Sequence, residues 1–175
     1  MFNFLQDRFK YYLKEKQIRF DIIDASISTF SLNKLCSTFE KAKSINKVIN
    51  DQIGIDITSI YKRSSKILES EMKNNEIEIS NTTDPGIFKS EYEKNLFKKI
   101  NEIKKYYTRI NKDENYENSL SILASAKNDV FDFFDNVKVN EENEILRKNR
   151  LELINMLCKT FQNFINFQLL KANNE

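Results

Sequence analysis

Three aspartates at helical spacing are the residues best suited to bind a cation or to move a proton. Asp129, Asp132 and Asp135 recur every third residue, so a helix would bring their carboxylates to one side. Carboxylates are good ligands for divalent cations, but acid–base catalysis also requires a partner group and a pocket. The spacing is equally that of a solvent-exposed helix face, and we favour that interpretation because apolar residues lie opposite, namely Val130, Phe133 and Phe134.

Nucleophilic catalysis has little support in the sequence. Histidine is absent, which excludes Ser-His-Asp and Cys-His arrangements and removes the commonest ligand of transition metals. The two cysteines, Cys36 and Cys158, lie far apart and form no C-x-x-C pair. We therefore expect two reduced, buried thiols without a catalytic role.

Three clusters of basic residues are candidates for binding RNA. Residues 86–112 contain eight basic residues against three glutamates, with Tyr106 and Tyr107 among them. Lysines neutralise phosphates and tyrosines stack on unpaired bases, so this segment could face RNA or could be a lysine-rich solvent face. The other two clusters are smaller and consist of Lys62, Arg63 and Lys66, and of Arg147, Lys148 and Arg150.

The elements that carry these residues are predicted to be helices. The chain has 175 residues, enough for one domain with a real core, and only 2 Gly and 1 Pro, which excludes Rossmann domains, P-loops and most β-barrels. Apolar residues recur at three- and four-residue steps along most of the chain, most regularly at Tyr92, Leu96, Ile100, Ile103, Tyr107 and Ile110. The sequence therefore predicts an all-α bundle of about six or seven helices.

Local signals predict where the helices begin and end. Ser31 is a plausible N-cap, Gly54 suggests a turn or a helix end, and Asp84 followed by Pro85 should open the next helix. One helix is expected over 120–137. We divide the chain into residues 1–72, a connection with a lysine-rich helix at 73–118, and a terminal helical pair at 119–175, together forming one compact unit.

Residues 133–154 carry a long motif that identifies a family. They read F-F-D-N-V-K-V-N, a short acidic spacer, and E-I-L-R-K-N-R-L-E-L-I. This resembles the carboxyl-terminal signature of the bacterial glycyl-tRNA synthetase beta subunit, F-F-D-x-V-x-V followed by L-R-x-N-R-L-x-L-L. The segments L-Q-D-R-F at residues 5–9, D-I-I-D-A at 21–25 and Y-K-R-S-S-K-I-L at 61–68 are similar to other parts of that family in the same order.

The resemblance implies a carboxyl-terminal fragment with a helical anticodon-binding domain, related to that of arginyl-tRNA synthetases. In this family the alpha subunit activates glycine with ATP and magnesium, and the beta subunit binds tRNA. The expected partners are therefore glycine tRNA, the alpha subunit and the rest of the beta subunit. The fragment should lie in the cytoplasm, hold no cofactor and catalyse nothing itself. No signal-peptide pattern begins the sequence, and no apolar segment is long enough to cross a membrane.

Within the matching motifs, basic residues are the candidates for contacting tRNA, namely Arg147, Arg150, Lys148, Lys62, Arg63 and Lys138. Arginine suits this role because its planar fork matches phosphates and base edges. Alternatively, Arg147 or Arg150 could pair with Asp135 or Glu144 and join the last two helices, and Asn149 could cap or cross-link their junction. The alternative function is an assembly module that contacts the rest of the synthetase without touching RNA.

Overall fold

The structure, a computed structural model, describes residues 2–29, 31, 34–75, 79–80, 82–109 and 115–171, and the regular secondary structure in these ranges is all helical. The helices are α1 Phe2–Glu15, α2 Phe20–Ile27, α3 Leu35–Val48, α4 Gln52–Asn75, α5 Glu91–Arg109, α6 Tyr116–Ala124, α7 Lys127–Asn136 and α8 Glu144–Gln162. Two 3-10 turns lie at Pro85–Ile87 and Phe167–Leu169. The all-α prediction is confirmed.

Helix α8 lies at the centre of the packing and contacts both α4 and α5. From Leu151 onwards most of its apolar residues are almost completely buried, including Leu153, Ile154, Leu157 and Phe161, whereas Ile145 near its start is exposed. Helix α5 buries the face that its spacing predicts, with Leu96, Ile100 and Ile103 inside. Helices from the three predicted segments thus pack on one another, whereas the boundaries between those segments stay a prediction.

The single helix expected over 120–137 is wrong, because the chain breaks between α6 and α7. At the break the Ala126 amide donates to the Leu123 carbonyl at 3.2 Å, a tighter turn than an α-helix makes. The Ser125 hydroxyl donates to the Ile122 carbonyl at 2.7 Å and so competes with the backbone ladder. The buried Ala126 then begins a new direction for α7.

Two predicted helix boundaries also differ from the structure. Ser31 lies four residues before α3, which begins at Leu35 with Lys34 at its N-cap position, and the Ser31 carbonyl accepts a hydrogen bond from the Lys34 amide at 2.9 Å. Gly54 is not a turn, because it lies in the first turn of α4, where it is buried against the end of α3. A glycine at this position allows the two backbones to approach closely.

Helix α5 begins at Glu91, later than the start at Pro85 that the sequence predicts. Asp84 caps only the 3-10 turn, where its carboxylate accepts a hydrogen bond from the Gly86 amide at 2.8 Å. The start of α5 is fixed instead by Ser90 and Glu93, which form a capping box. The Glu93 carboxylate accepts from the Ser90 amide at 2.8 Å, and the Ser90 hydroxyl accepts from the Glu93 amide at 3.3 Å.

None of the helices in the described part of the chain is both long enough and apolar enough to span a bilayer.

Candidate nucleic-acid interface

Arg150 is buried, with 7% of its surface exposed, and joins three parts of the fold. Its Nε donates to Glu93 Oε1 at 2.9 Å, and its Nη1 donates to the Lys138 carbonyl at 2.8 Å and to Glu141 Oε2 at 3.4 Å. Burial alone would raise the pKa of Glu93, but hydrogen bonds from Arg150, Ser90 and Lys89 outweigh it and lower that pKa. This geometry favours the structural alternative for Arg150, with Glu93 and Glu141 as partners rather than Asp135 or Glu144.

Arg147 is only partly committed to the fold. Its Nη1 donates to the Glu141 carbonyl at 3.1 Å, and its Nη2 lies 4.0 Å from a carboxylate oxygen of Glu144. The Nε atom is buried without a hydrogen-bond partner among the described residues. The guanidinium is therefore held near the start of α8 with one donor still unused.

Arg63 connects α4 to α7 through its flat guanidinium. The group lies 5.1 Å from the ring centre of Phe131 and 4.9 Å from that of Phe134, and it donates to Asp135 Oδ1 at 2.9 Å. About a third of the side chain stays exposed, 35%. Stacking and an ion pair together hold Arg63 in one orientation.

The three lysines among the predicted residues face solvent more freely. Lys148 on α8 and Lys138 in the preceding loop are exposed, and Lys62 on α4 is half-buried. The pKa of Glu141 is lowered mainly by the hydrogen bond from the Glu142 amide, and the charge of Lys138 contributes to that shift. The side chains of Lys62 and Lys148 make no hydrogen bond or ion pair with the residues that the structure describes. These two ammonium groups remain available to a phosphate.

Polar side chains of α8 hold the segment that precedes α5. Asn149 accepts from the Asp84 amide at 2.8 Å and donates to the Asp84 carbonyl at 3.0 Å. Glu152, which is 2% exposed, accepts hydrogen bonds from the amide and hydroxyl of Ser80, the latter at 2.8 Å. Asn149 therefore cross-links α8 to the segment that precedes α5, whereas the prediction concerned the junction of the last two helices.

The aspartates do not gather into a metal site. Asp135 is paired with Arg63, and burial raises the pKa of Asp129, partly offset by the charge of Lys99. In the described ranges no group of three or more Cys, Asp or Glu side chains is placed to hold a metal ion. The arrangement fits the exposed-face interpretation.

The two cysteines differ in their surroundings. Burial raises the pKa of the Cys158 thiol to about 12, so this group stays protonated at neutral pH. Cys36 is exposed near the start of α3, so the expectation that it would be buried is wrong. Cys36 lies on the solvent-facing side of α3, and the spacing of the neighbouring apolar residues does not indicate on which side of the helix it lies.

A cleft forms where α3, α5, α6 and the end of α8 meet, and we call it the tyrosine–lysine cleft. It has a volume of about 450 Å3 and is lined by two lysines, two tyrosines and three neutral polar residues: Lys41 and Lys104, Tyr107 and Tyr116, and Thr108, Thr160 and Asn163. A second hollow of about 80 Å3 adjoins it and shares Lys41 and Asn163. Among the residues that the structure describes, no carboxylate lines either space.

The sequence indicated only part of this cleft. Lys104 and Tyr107 belong to the lysine-rich segment predicted to face either RNA or solvent. Lys41, Tyr116 and Asn163 were missed, because they lie on other helices and carry no local motif. Only the packing of four helices brings them together.

Comparison with known proteins identifies related sequences. Over 165 residues the chain is 30% identical to the Glycine–tRNA ligase beta subunit of Persephonella marina, covering 94% of this chain and 22% of that protein. It is 28% identical over 160 residues to the protein of the same name from Dinoroseobacter shibae, covering 91% of this chain and 22% of that one. It is 28% identical over 165 residues to the protein of the same name from Rickettsia typhi, and this match covers 94% of this chain and 23% of that protein. The chain thus spans about a fifth of the length of these relatives.

The resemblance found in the motifs at residues 133–154 is therefore confirmed. Residues 57–172, from the first turns of α4 to beyond the last 3-10 turn, match the DALR anticodon binding domain. This range includes each of the basic residues predicted to contact tRNA and most of the lining of the tyrosine–lysine cleft. With two thirds of its length inside the match, the chain belongs to the DALR anticodon binding domain family.

Proposed function

We propose that this chain binds the anticodon region of glycine tRNA as part of a glycine–tRNA ligase. The observation that carries the proposal is the family match over residues 57–172, together with relatives that are named Glycine–tRNA ligase beta subunit. The absence of histidine from the chain agrees with a binding role, since it removes the commonest acid–base group. In the complete ligase, glycine activation with ATP and magnesium would take place on the alpha subunit, in the cytoplasm.

In this proposal the predicted basic residues divide into two roles. Lys62, Lys148 and Lys138 contact tRNA phosphates, because their ammonium groups reach the surface. Arg150 and Arg63 keep the helices in place, because each is already bonded to carboxylates of the fold. Arg147 mainly holds the loop at Glu141, because its Nη1 donates to the Glu141 carbonyl, its Nε is buried and only 16% of its side chain is exposed.

Nuclease footprinting of glycine tRNA tests the proposal. We expect the chain to protect the anticodon loop from a nuclease specific for single strands and to leave the other loops accessible. The measurement compares cleavage with and without protein at low salt, where phosphate contacts are strongest. Protection confined to the acceptor end, or no protection at concentrations that saturate binding, would contradict an anticodon-binding role.

Charge-removing variants test the lysines. We expect Lys62→Gln and Lys148→Gln each to weaken tRNA binding, and each to reduce the slope of log affinity against log salt by about 1, as the loss of one phosphate contact requires. Lys94→Gln is the matched control, because that ammonium is already paired with Glu91 at 2.7 Å. Equal slopes for all three variants and the wild type would exclude Lys62 and Lys148 from the interface.

An assembly module is the second candidate, and exposed aromatic residues favour it. Phe4, Tyr11 and Phe20 are 60%, 62% and 72% exposed on α1 and α2, outside the range that matches the family. Apolar groups left in water are typical of protein–protein contacts. If assembly is the main role, Tyr11→Ser and Phe20→Ser should weaken association with the alpha subunit in a salt-insensitive manner and leave tRNA binding unchanged.

A further inference from the structure

The tyrosine–lysine cleft has the size and lining of a ligand site. Its volume of about 450 Å3 falls within the roughly 300–1,000 Å3 typical of small-molecule sites. The lining combines two aromatic rings with neutral hydrogen-bonding groups and two ammonium groups. The charged side chains that line it, among the residues the structure describes, are both lysines, which favours a ligand with an anionic part.

One of the two lysines of the cleft, Lys104, is partly shielded from solvent. Lys104 is half-buried, and burial lowers the pKa of its ammonium group. The Lys104 side chain forms no hydrogen bond or ion pair within the described ranges. Burying an ammonium group without an anion is unfavourable, so an incoming phosphate would relieve that cost.

The aromatic rings of the cleft are fixed before any ligand arrives. The Tyr107 hydroxyl donates to the Ser119 carbonyl at 3.2 Å, which anchors its ring to α6. The Tyr116 ring packs edge-on against Phe164, with centres 6.0 Å apart and planes at 79°. Rings held in this way lose little further entropy when a flat group packs against them.

Lys41 and Asn163 complete the arrangement at the end of α8. The Lys41 ammonium donates to the backbone carbonyl of Asn163 at 3.3 Å and lies 5.9 Å from the centre of the Tyr116 ring. It is thereby held beside the aromatic part of the cleft. The Asn163 side chain offers an amide, which presents both a donor and an acceptor to the edge of a flat heterocycle.

We propose that the tyrosine–lysine cleft binds one unstacked nucleotide of single-stranded RNA, with the base against Tyr107 and Tyr116 and the adjoining phosphate at Lys104. The proposal rests on the proposed function, which supplies the single-stranded loop. Aromatic rings favour such bases because every base has a stackable face, and a nearby lysine neutralises the backbone. A regular duplex does not fit this description, since its bases are already stacked.

The test is an NMR titration of the whole chain, observing the ring signals of Tyr107 and Tyr116. The probes are a single-stranded RNA heptamer with the anticodon-loop sequence of glycine tRNA, adenosine 5′-monophosphate and ribose 5-phosphate. We expect the heptamer to shift both rings and to bind at least tenfold more tightly than the mononucleotide. Ribose 5-phosphate should bind at least tenfold more weakly than the mononucleotide, because it has no base.

Variants assign the binding to this cleft. Tyr116→Leu and Lys104→Gln should each weaken heptamer binding by about tenfold, whereas Tyr116→Phe, which keeps the ring, should retain it. Tyr11→Leu and Lys14→Gln are the matched controls, because both side chains are exposed on α1, away from the cleft. Melting curves identify any variant that has lost its fold. If Tyr116→Leu unfolds, Tyr116→Phe still tests the site, because it keeps the aromatic ring and should bind the heptamer like the wild type.

Several results would overturn the inference. If the heptamer binds without shifting the ring signals of Tyr107 and Tyr116, RNA binds elsewhere on the chain. If ribose 5-phosphate binds as tightly as the mononucleotide, the cleft recognises only the phosphate. A mononucleotide that binds as tightly as the heptamer would make a free nucleotide the ligand. If the chain protects the anticodon loop but the ring signals of Tyr107 and Tyr116 do not shift, only the inference about the cleft is overturned. If the ring signals shift but the anticodon loop is not protected, only the proposed function is overturned.

Discussion

Replacing Arg150 by alanine is expected to lower the free energy of unfolding by about 3–5 kcal/mol, because it leaves a buried carboxylate without its partner. Glu93 is 1% exposed and lies 2.9 Å from the Arg150 guanidinium, so water cannot replace the lost contact. The variant also removes the donor to the Lys138 carbonyl. Urea denaturation measured by circular dichroism gives the value directly.

The exposed neighbour Lys148 provides the control. Lys148→Ala should change stability by less than about 0.5 kcal/mol, as is usual for a surface substitution. The double variant Glu93→Leu, Arg150→Met removes both charges and should recover much of the loss. An Arg150→Ala variant that is as stable as the wild type but no longer binds tRNA would show that Arg150 contacts RNA instead.

The same pair should make stability depend on pH. The pKa of Glu93 in the folded chain lies below its ordinary value of 4.5, so the carboxylate stabilises the fold above that value. The contribution is lost as the pH falls through the lowered pKa. We expect the stability difference between wild type and Glu93→Gln to be largest at pH 7 and to shrink below pH of about 4. A difference that grows in acid would contradict this account.

Gly54→Ala is expected to destabilise the fold by roughly 1–3 kcal/mol or more, because the added carbon has no room. It would lie 2.3 Å from the Val48 carbonyl oxygen and 2.4 Å from the Ile49 Cα. Both contacts are with backbone, so relief requires α3 and α4 to move apart. Thermal unfolding of the variant measures the cost.

Gly86 is the matched control for this substitution. Among the described residues, a Cβ at Gly86 would meet the Asp84 carboxylate at 3.1 Å, and this flexible side chain needs to shift by only a few tenths of an ångström to make room. Gly86→Ala should therefore leave the melting temperature almost unchanged. Because alanine is intrinsically the better helix former by about 1 kcal/mol, a stabilised Gly54→Ala variant would contradict the close approach of the two helices.

The sequence predicts well those features that repeat along one helix. The three- and four-residue spacing of Leu96, Ile100 and Ile103 predicts a buried face, and each of the three is at most 1% exposed. The motif at residues 133–154 predicts the family. In both cases the information lies within a short stretch of chain, where periodicity or residue order is visible directly.

Features that depend on distant parts of the chain could not be predicted in the same way. Arg150 and Glu93 are 57 residues apart, and nothing in the basic cluster around Arg150 indicates which carboxylate it meets. Gly54 resembles a turn residue until the end of α3 is known to pack on it. The tyrosine–lysine cleft combines residues from four helices, so only the assembled bundle shows that two lysines and two tyrosines meet there.

The central claim is that this chain recognises the anticodon region of glycine tRNA. Its most direct test is a fluorescence titration with glycine tRNA and with the same tRNA carrying a changed anticodon, at several salt concentrations. We predict at least tenfold tighter binding of the native anticodon, or about 1.4 kcal/mol, with affinity falling steeply as salt rises. Equal affinity for both tRNAs, or no binding of either, would contradict the claim.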